Sequence, residues 1–257
     1  MRPAARLFFL LVATGFSSTR LAAQFTDAPQ TVARGEWLVE TDLATGAYDR
    51  YTPARDGVRT RSVSLAVAQL TTGVMENVDV QIGIESWRDE DSSGAGVDEC
   101  VRGTGGVYVR AKWKFWEAAD GTALALLPYY QFRDTVSSRL RPTVSQFGVI
   151  VPFYRPLDEA WSFSAQAEVD WLDNGAGARE DWWAGYAVFA RTLNKRWSWY
   201  WETTASAAGG RGRWATQSGL GIVWQMTEKF SWDAALYAGV NRAAPDWYPA
   251  LRFVWAF

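Results

Sequence analysis

A single antiparallel up-and-down transmembrane β-barrel of about twelve strands is the fold class this sequence predicts. Three observations predict it: apolar and polar residues alternate with period two through most of the chain, short and long connections alternate between the alternating segments, and the last segment is an aromatic strand ending on Phe257. The clearest segment runs from Trp161 to Trp171, apolar at every odd position and polar at every even one. A strand of that kind has one face in an apolar medium and the other in water. Val78, Val80, Ile82 and Ile84 alternate with Asp79, Gln81, Gly83 and Glu85, and Val107 to Phe115 repeats the pattern against Tyr108, Arg110, Lys112 and Lys114. Trp197, Trp199 and Trp201 alternate with Ser198, Tyr200 and Glu202. None of these segments carries a helical stripe.

Strands are expected near residues 35–43, 62–70, 78–87, 106–116, 122–132, 143–153, 161–171, 182–192, 197–206, 214–226, 230–240 and 247–257. The best-defined segments have the length that tilted strands need to cross a hydrocarbon layer, roughly 9 to 11 residues. Connections near 71–77, 117–121, 154–160, 193–196 and 227–229 are short, whereas 44–61 and 88–105 are the longest. The second of these is rich in Asp, Ser and Gly and reads as a solvated loop. Outer-membrane barrels have this asymmetry, with short turns on the periplasmic side and longer loops outside. Lipid offers backbone amides and carbonyls no partner, so the first strand must pair with the last. A soluble barrel with its apolar face inward is the competing arrangement. The bulk of that face, which holds Trp113, Trp161, Trp171, Trp199, Trp201, Trp224 and Trp232, argues against packing it inside. In a membrane these rings form girdles, with Trp161, Trp197, Phe230 and Phe257 at the periplasmic rim. Trp171, Trp182 or Trp214, and Trp247 fall toward the outer rim.

The domain division follows. Residues 1–23 read as a cleaved signal peptide: Arg2 and Arg6, an apolar run from Leu7 to Ala13, then small residues to Ala23. Residues 24–257 are assigned to the barrel. With Arg2, Arg6 and Arg20 removed, 23 basic residues face 28 acidic ones, a net charge of −5. That balance argues against a nucleic-acid partner.

Composition narrows the chemistry. The 257 residues include 16 Trp, one Cys and no His. Mechanisms that need an imidazole, including Ser-His-Asp and Cys-His sites and His-ligated zinc, are thereby excluded. The lone Cys100 forms neither an internal disulfide nor a Cys-rich metal site. Gly209-Gly210-Arg211-Gly212 joins two strands and opens no helix, so it is no phosphate loop. Glu168 and Asp170 share a face, but every second residue of a lumen-facing strand is polar, and such pairs arise without catalysis. The acids Asp89, Glu90, Asp91, Asp98 and Glu99 read as a solvated charge run. No enzyme activity, cofactor or metal is expected.

The polar face supplies the candidate lumen-lining residues: Asp79, Gln81, Glu85, Arg110, Lys112, Lys114, Gln166, Glu168, Asp170, Glu202, Asp233 and Arg252. Asp79 and Glu85 are positioned to face the basic ladder Arg110, Lys112 and Lys114 across one hairpin, and acids dominate the 161–171 strand. Charged walls of this kind select and orient a small solute. The same residues, mutually paired, would instead fill the lumen, and twelve strands lie between the filled and open size classes.

Leu251-Arg-Phe-Val-Trp-Ala-Phe257 resembles the C-terminal signal read by the barrel-assembly machinery of bacterial outer membranes, with Phe253, Trp255 and Phe257 as the signal residues. Ala123-Leu-Ala-Leu-Leu-Pro128, Gly148-Val-Ile-Val-Pro152, Trp201-Glu202 and Gly239-Val-Asn-Arg-Ala-Ala-Pro245, followed by Arg252-Phe253, resemble the family of outer-membrane barrels labelled MetA-pathway of phenol degradation. The similarity covers most of residues 106–257. The chain departs from it at Phe132-Arg133-Asp134, where the family usually has Pro-Thr-Gly. The resemblance implies an integral protein of the Gram-negative outer membrane, with lipid and the assembly machinery as partners. It also implies a small-molecule solute, hydrophobic or aromatic compounds among the candidates. The alternative is a non-conducting structural or interaction barrel acting through its extracellular loops.

Overall fold

The computed structural model describes residues 23–50, 57–209 and 214–257. The expected leader, residues 1–23, lies outside the described residues except for Ala23. The strands are β1 (Trp37–Tyr48), β2 (Arg59–Met75), β3 (Val78–Gly94), β4 (Val97–Gly103), β5 (Gly106–Glu117), β6 (Ala123–Phe132), β7 (Gln146–Pro156), β8 (Trp161–Asp173), β9 (Arg179–Thr192), β10 (Trp197–Ala208), β11 (Ala215–Gln225), β12 (Phe230–Gly239) and β13 (Trp247–Ala256). Twelve of them, all but β4, form one closed antiparallel barrel in which each neighbours the next and β1 returns to β13. Closure runs from Leu38 opposite Ala256 to Tyr48 opposite Trp247, so neither edge is left to lipid.

The outer surface is apolar and the inner surface polar. Ile82, Leu220 and Leu236 are each more than half exposed on the outside, with Trp113 and Trp255 at 50%, whereas their strand neighbours Gln81, Asp79 and Asp233 are buried. Aromatic pairs gather at the short-turn rim, including Trp161 against Trp199 at 5.6 Å and Trp197 stacked on Trp224 at 5.7 Å. At the other rim Phe147 stacks on Trp171 at 5.0 Å. Of the adjacent tryptophans on β9, Trp183 belongs to the outer face. Trp182 pairs with Asp170 and therefore shares its inward face.

Two of the expected connections are corrected. Residues 44–61 shrink to 49–58, because β1 and β2 continue outward beyond the membrane-spanning length. Residues 88–105 are not a loop: β3 extends to Gly94, turns through Ala95-Gly96 with both residues at positive φ, and returns as β4. A polar composition hid the hairpin because both of its faces are wet. Leu43, Ala66 and Ser86 drop out of the pairing in one line across β1, β2 and β3, with Ala66 at φ 51. At that line β3 exchanges its partner, from β5 (Glu85 opposite Gly106) to β4 (Arg88 opposite Gly103).

Inside, four tyrosines lie flat across glycines of the neighbouring strand: Tyr108 over Gly83, Tyr129 over Gly148, Tyr200 over Gly221 and Tyr237 over Gly219. A Cβ at any of these glycines would overlap the ring. The space belongs to the tyrosine, and Gly is the residue that leaves it free.

Candidate functional site: a lumen occupied by an N-terminal arm

Residues 23–36 do not belong to the barrel wall. They enter at the short-turn rim and run up the lumen, with Gly35 N–H donating to the Gly73 carbonyl at 2.9 Å and the Thr31 hydroxyl to the Glu76 carbonyl at 2.9 Å. Ala23, Gln24, Thr26, Pro29 and Val32 are buried there. No alternation marks this stretch, and its wall contacts reach across as many as 229 residues, so nothing local in the sequence reveals them.

Half of the expected lumen residues lie against this arm. Asp79 faces Lys112 across β3 and β5, and its Oδ1 accepts the Val32 amide at 2.9 Å. Lys112 Nζ donates to the Gln30 carbonyl at 3.1 Å. Gln81 stands opposite Arg110, whose guanidinium pairs with Asp27 Oδ1 at 2.5 Å. The Asp27 amide donates to Gln166 Oε1 at 2.7 Å, and Gln166 in turn donates to Glu168 at 3.0 Å. Glu202 accepts from the Thr26 hydroxyl at 2.6 Å, from the Phe25 amide at 3.3 Å and from the Tyr237 hydroxyl. Arg252 pairs with Asp42 at 2.6 Å and donates to the carbonyls of Ala23 and Gln24. Burial by itself raises the Asp27 carboxyl, yet Arg110 and Lys112 outweigh it and hold that group below the ordinary carboxylate range.

Other expected residues are held by the wall alone. Asp233 accepts from the Tyr200 hydroxyl at 2.9 Å, and Asp170 from the Tyr129 hydroxyl at 2.7 Å. Glu85 does not face the basic ladder: it pairs with Arg88 at 2.6 Å and accepts from Ser64, near the line where β3 changes partner. Lys114 sits at the short-turn end, paired with Glu117 at 2.6 Å. Phe253 stacks on Phe230 at 5.8 Å, and Trp255 and Phe257 lie 5.3 Å apart, both half exposed on the outer face. In the β3–β4 hairpin, Asp89 pairs with Arg102 and Glu90 with Arg88. Among the described residues no three His, Cys, Asp or Glu side chains come together as a metal site.

The arm does not fill the lumen completely. Between it and the wall lies a cavity of about 230 Å³ bordered by Phe25, Asp27, Tyr108, Arg110, Lys112 and Arg252. Sequence reasoning identified both of its wall cations on β5 and Arg252, but not Asp27, Phe25 or Tyr108. Only Tyr108 had a signal, its even position on the polar face.

A closed twelve-strand barrel with an apolar, Trp-girdled exterior defines an integral β-barrel of the bacterial outer membrane. The family described as "Putative MetA-pathway of phenol degradation" matches residues 22–257, and the chain belongs to it. No curated protein matches the chain by sequence. Among solved structures, the chain is similar to the COG4313 outer membrane channel from Pseudomonas putida F1, at a TM-score of 0.69 and 13% identity over 92% of this chain and 100% of that one. It is also similar to the KdgM porin in complex with disordered oligogalacturonate (TM-score 0.54, 5% identity, 86% and 99% covered). The beta domain of the Bordetella autotransporter BrkA has the same kind of fold (TM-score 0.53, 13% identity, 86% and 99% covered).

Proposed function

We propose that the chain is an outer-membrane channel for small solutes, held closed in this conformation by its own N-terminal arm. The observation that carries the reading is the manner in which the lumen is filled. A permanently sealed barrel is filled by side chains of its own wall, as at Tyr200 and Asp233. Here Arg110, Lys112, Gln166 and Glu202 meet a single peptide segment that belongs to no strand and joins the wall at β1. Those contacts are hydrogen bonds and an ion pair that water or a polar solute replaces on withdrawal of the arm. With the arm out, Arg110, Lys112, Glu202 and Gln166 line the passage as a charged constriction. Phe253, Trp255 and Phe257 act as the signal for the assembly machinery, and the aromatic exterior meets lipid.

Liposome swelling tests this. Deletion of residues 24–33, leaving the Gly35–Gly73 anchor, is expected to admit small sugars and amino acids that the intact chain excludes. Folding of the deletion protein is checked by its heat-dependent shift in gel mobility. A folded deletion protein that leaves the liposomes sealed would instead favour the non-conducting interaction barrel, for which the β2–β3–β4 sheet standing beyond the membrane is the exposed surface.

A further inference from the structure

The two cations on the inner face of β5 are satisfied in an unusual way. Arg110 and Lys112 are two residues apart and point into the lumen, and although the wall acids Asp79 and Glu40 lie near them, the carboxylate that forms the ion pair with Arg110 comes from the arm. Asp27 Oδ1 meets Arg110 at 2.5 Å, with the two side chains only 13% and 22% exposed. Of the wall acids, Asp79 stands opposite Lys112 and also accepts the Val32 amide, and Asp42 is matched by Arg252. Arg110 Nε is buried with no acceptor, although a guanidinium binds a carboxylate best through two parallel N–H groups. The site is thus built for an anion and only half used by the one it holds. The adjoining cavity of about 230 Å³ is smaller than a drug-sized pocket, for which about 300 Å³ is the lower bound. Tyr108, on its border and part of the wall, offers aromatic surface to a ring and stays in place when the arm leaves.

We propose that Arg110 and Lys112 form a binding site for a small ring-bearing carboxylate, that Asp27 is its resident stand-in, and that such a solute opens the lumen by taking Asp27's place. This rests on the closed-channel reading above. A solute that binds only when Asp27 has left favours the withdrawn arm by its full binding free energy, which is the condition for shifting an equilibrium between two states. The channel is therefore opened by the class of solute it passes.

Planar-bilayer recording of the mature chain at fixed ionic strength tests the proposal, with benzoate as probe and benzamide as its uncharged counterpart. Benzoate is expected to raise the time-averaged conductance by about tenfold or more, the size of a modest two-state shift, and benzamide to leave it unchanged. Asp27→Asn is expected to conduct without benzoate and to lose the response. In the protein lacking residues 24–33, benzoate is expected to reduce chloride current, and Arg110→Gln to remove that block. The proposal is overturned if benzoate and benzamide act alike, or if the Asp27→Asn protein stays closed while the deletion protein conducts. It also fails if benzoate does not block the deletion protein. A silent, folded deletion protein would overturn the closed-channel reading itself.

Discussion

The two sides of the lumen are filled by different means. On the β10–β12 side the wall fills itself: Tyr200 and Tyr237 lie across Gly221 and Gly219 of β11, and Tyr200 satisfies Asp233. On the β5 side Arg110 and Lys112 project toward a segment that belongs to no strand, with a cavity left beside it. The first arrangement is a core built by the wall's own tyrosines, onto which the arm adds Ala23, the Phe25 ring at 4.8 Å from Tyr237, and the contacts of Glu202. The second is a dock, whose charges lose partners when the arm leaves. Stability should therefore reside on one side and gating on the other.

The sharpest way to break this contrast is to remove the arm. Deleting residues 24–33 should raise conductance by about tenfold or more while leaving the barrel folded, since the strand pairing is untouched. Next in size, Gly221→Val should force Tyr200 from its slot and cost about 1–3 kcal/mol, the usual penalty for overpacking. Urea titration of folded barrel in detergent reads that loss, and conductance should not rise. Tyr200→Phe should act in the same sense by leaving Asp233 without its hydroxyl donor, at about 1–3 kcal/mol. An increase in conductance from either wall substitution, comparable to that from the deletion, would erase the distinction. A smaller effect is expected from Arg110→Glu with Lys112→Glu and Lys114→Glu in the arm-deleted background. Reversal potentials in a salt gradient should move toward cation preference, with Lys114 contributing least because it pairs with Glu117 near the rim.

The contrast also explains what the sequence could disclose. Alternation made all twelve wall strands legible where each has one face in lipid and one in the lumen, while β1, β2 and β3 run five to seven residues past the bounds it marked. Where that asymmetry ends, so does the signal. The β3–β4 hairpin carries Asp89, Glu90, Asp91 and Asp98 with water on both faces, and it reads as loop. Trp182 and Trp183 are adjacent, so aromatic character alone does not say which faces lipid, and only pairing with Asp170 and Val169 does. Arg110, Lys112 and Glu202 are visible as polar-face residues, but their partners are not. Phe25, Thr26 and Asp27 have no periodicity and meet the wall more than 80 residues away in sequence. Glu85 illustrates the remaining gap: its face follows from alternation, whereas its choice of Arg88 depends on where β3 exchanges strands.

Single-channel recording of the intact chain beside the chain lacking residues 24–33, in the same membrane and salt, tests the central claim most directly. The account predicts long closed periods with rare openings for the first and sustained openings of the same ion selectivity for the second. Equal open times in the two proteins would contradict it.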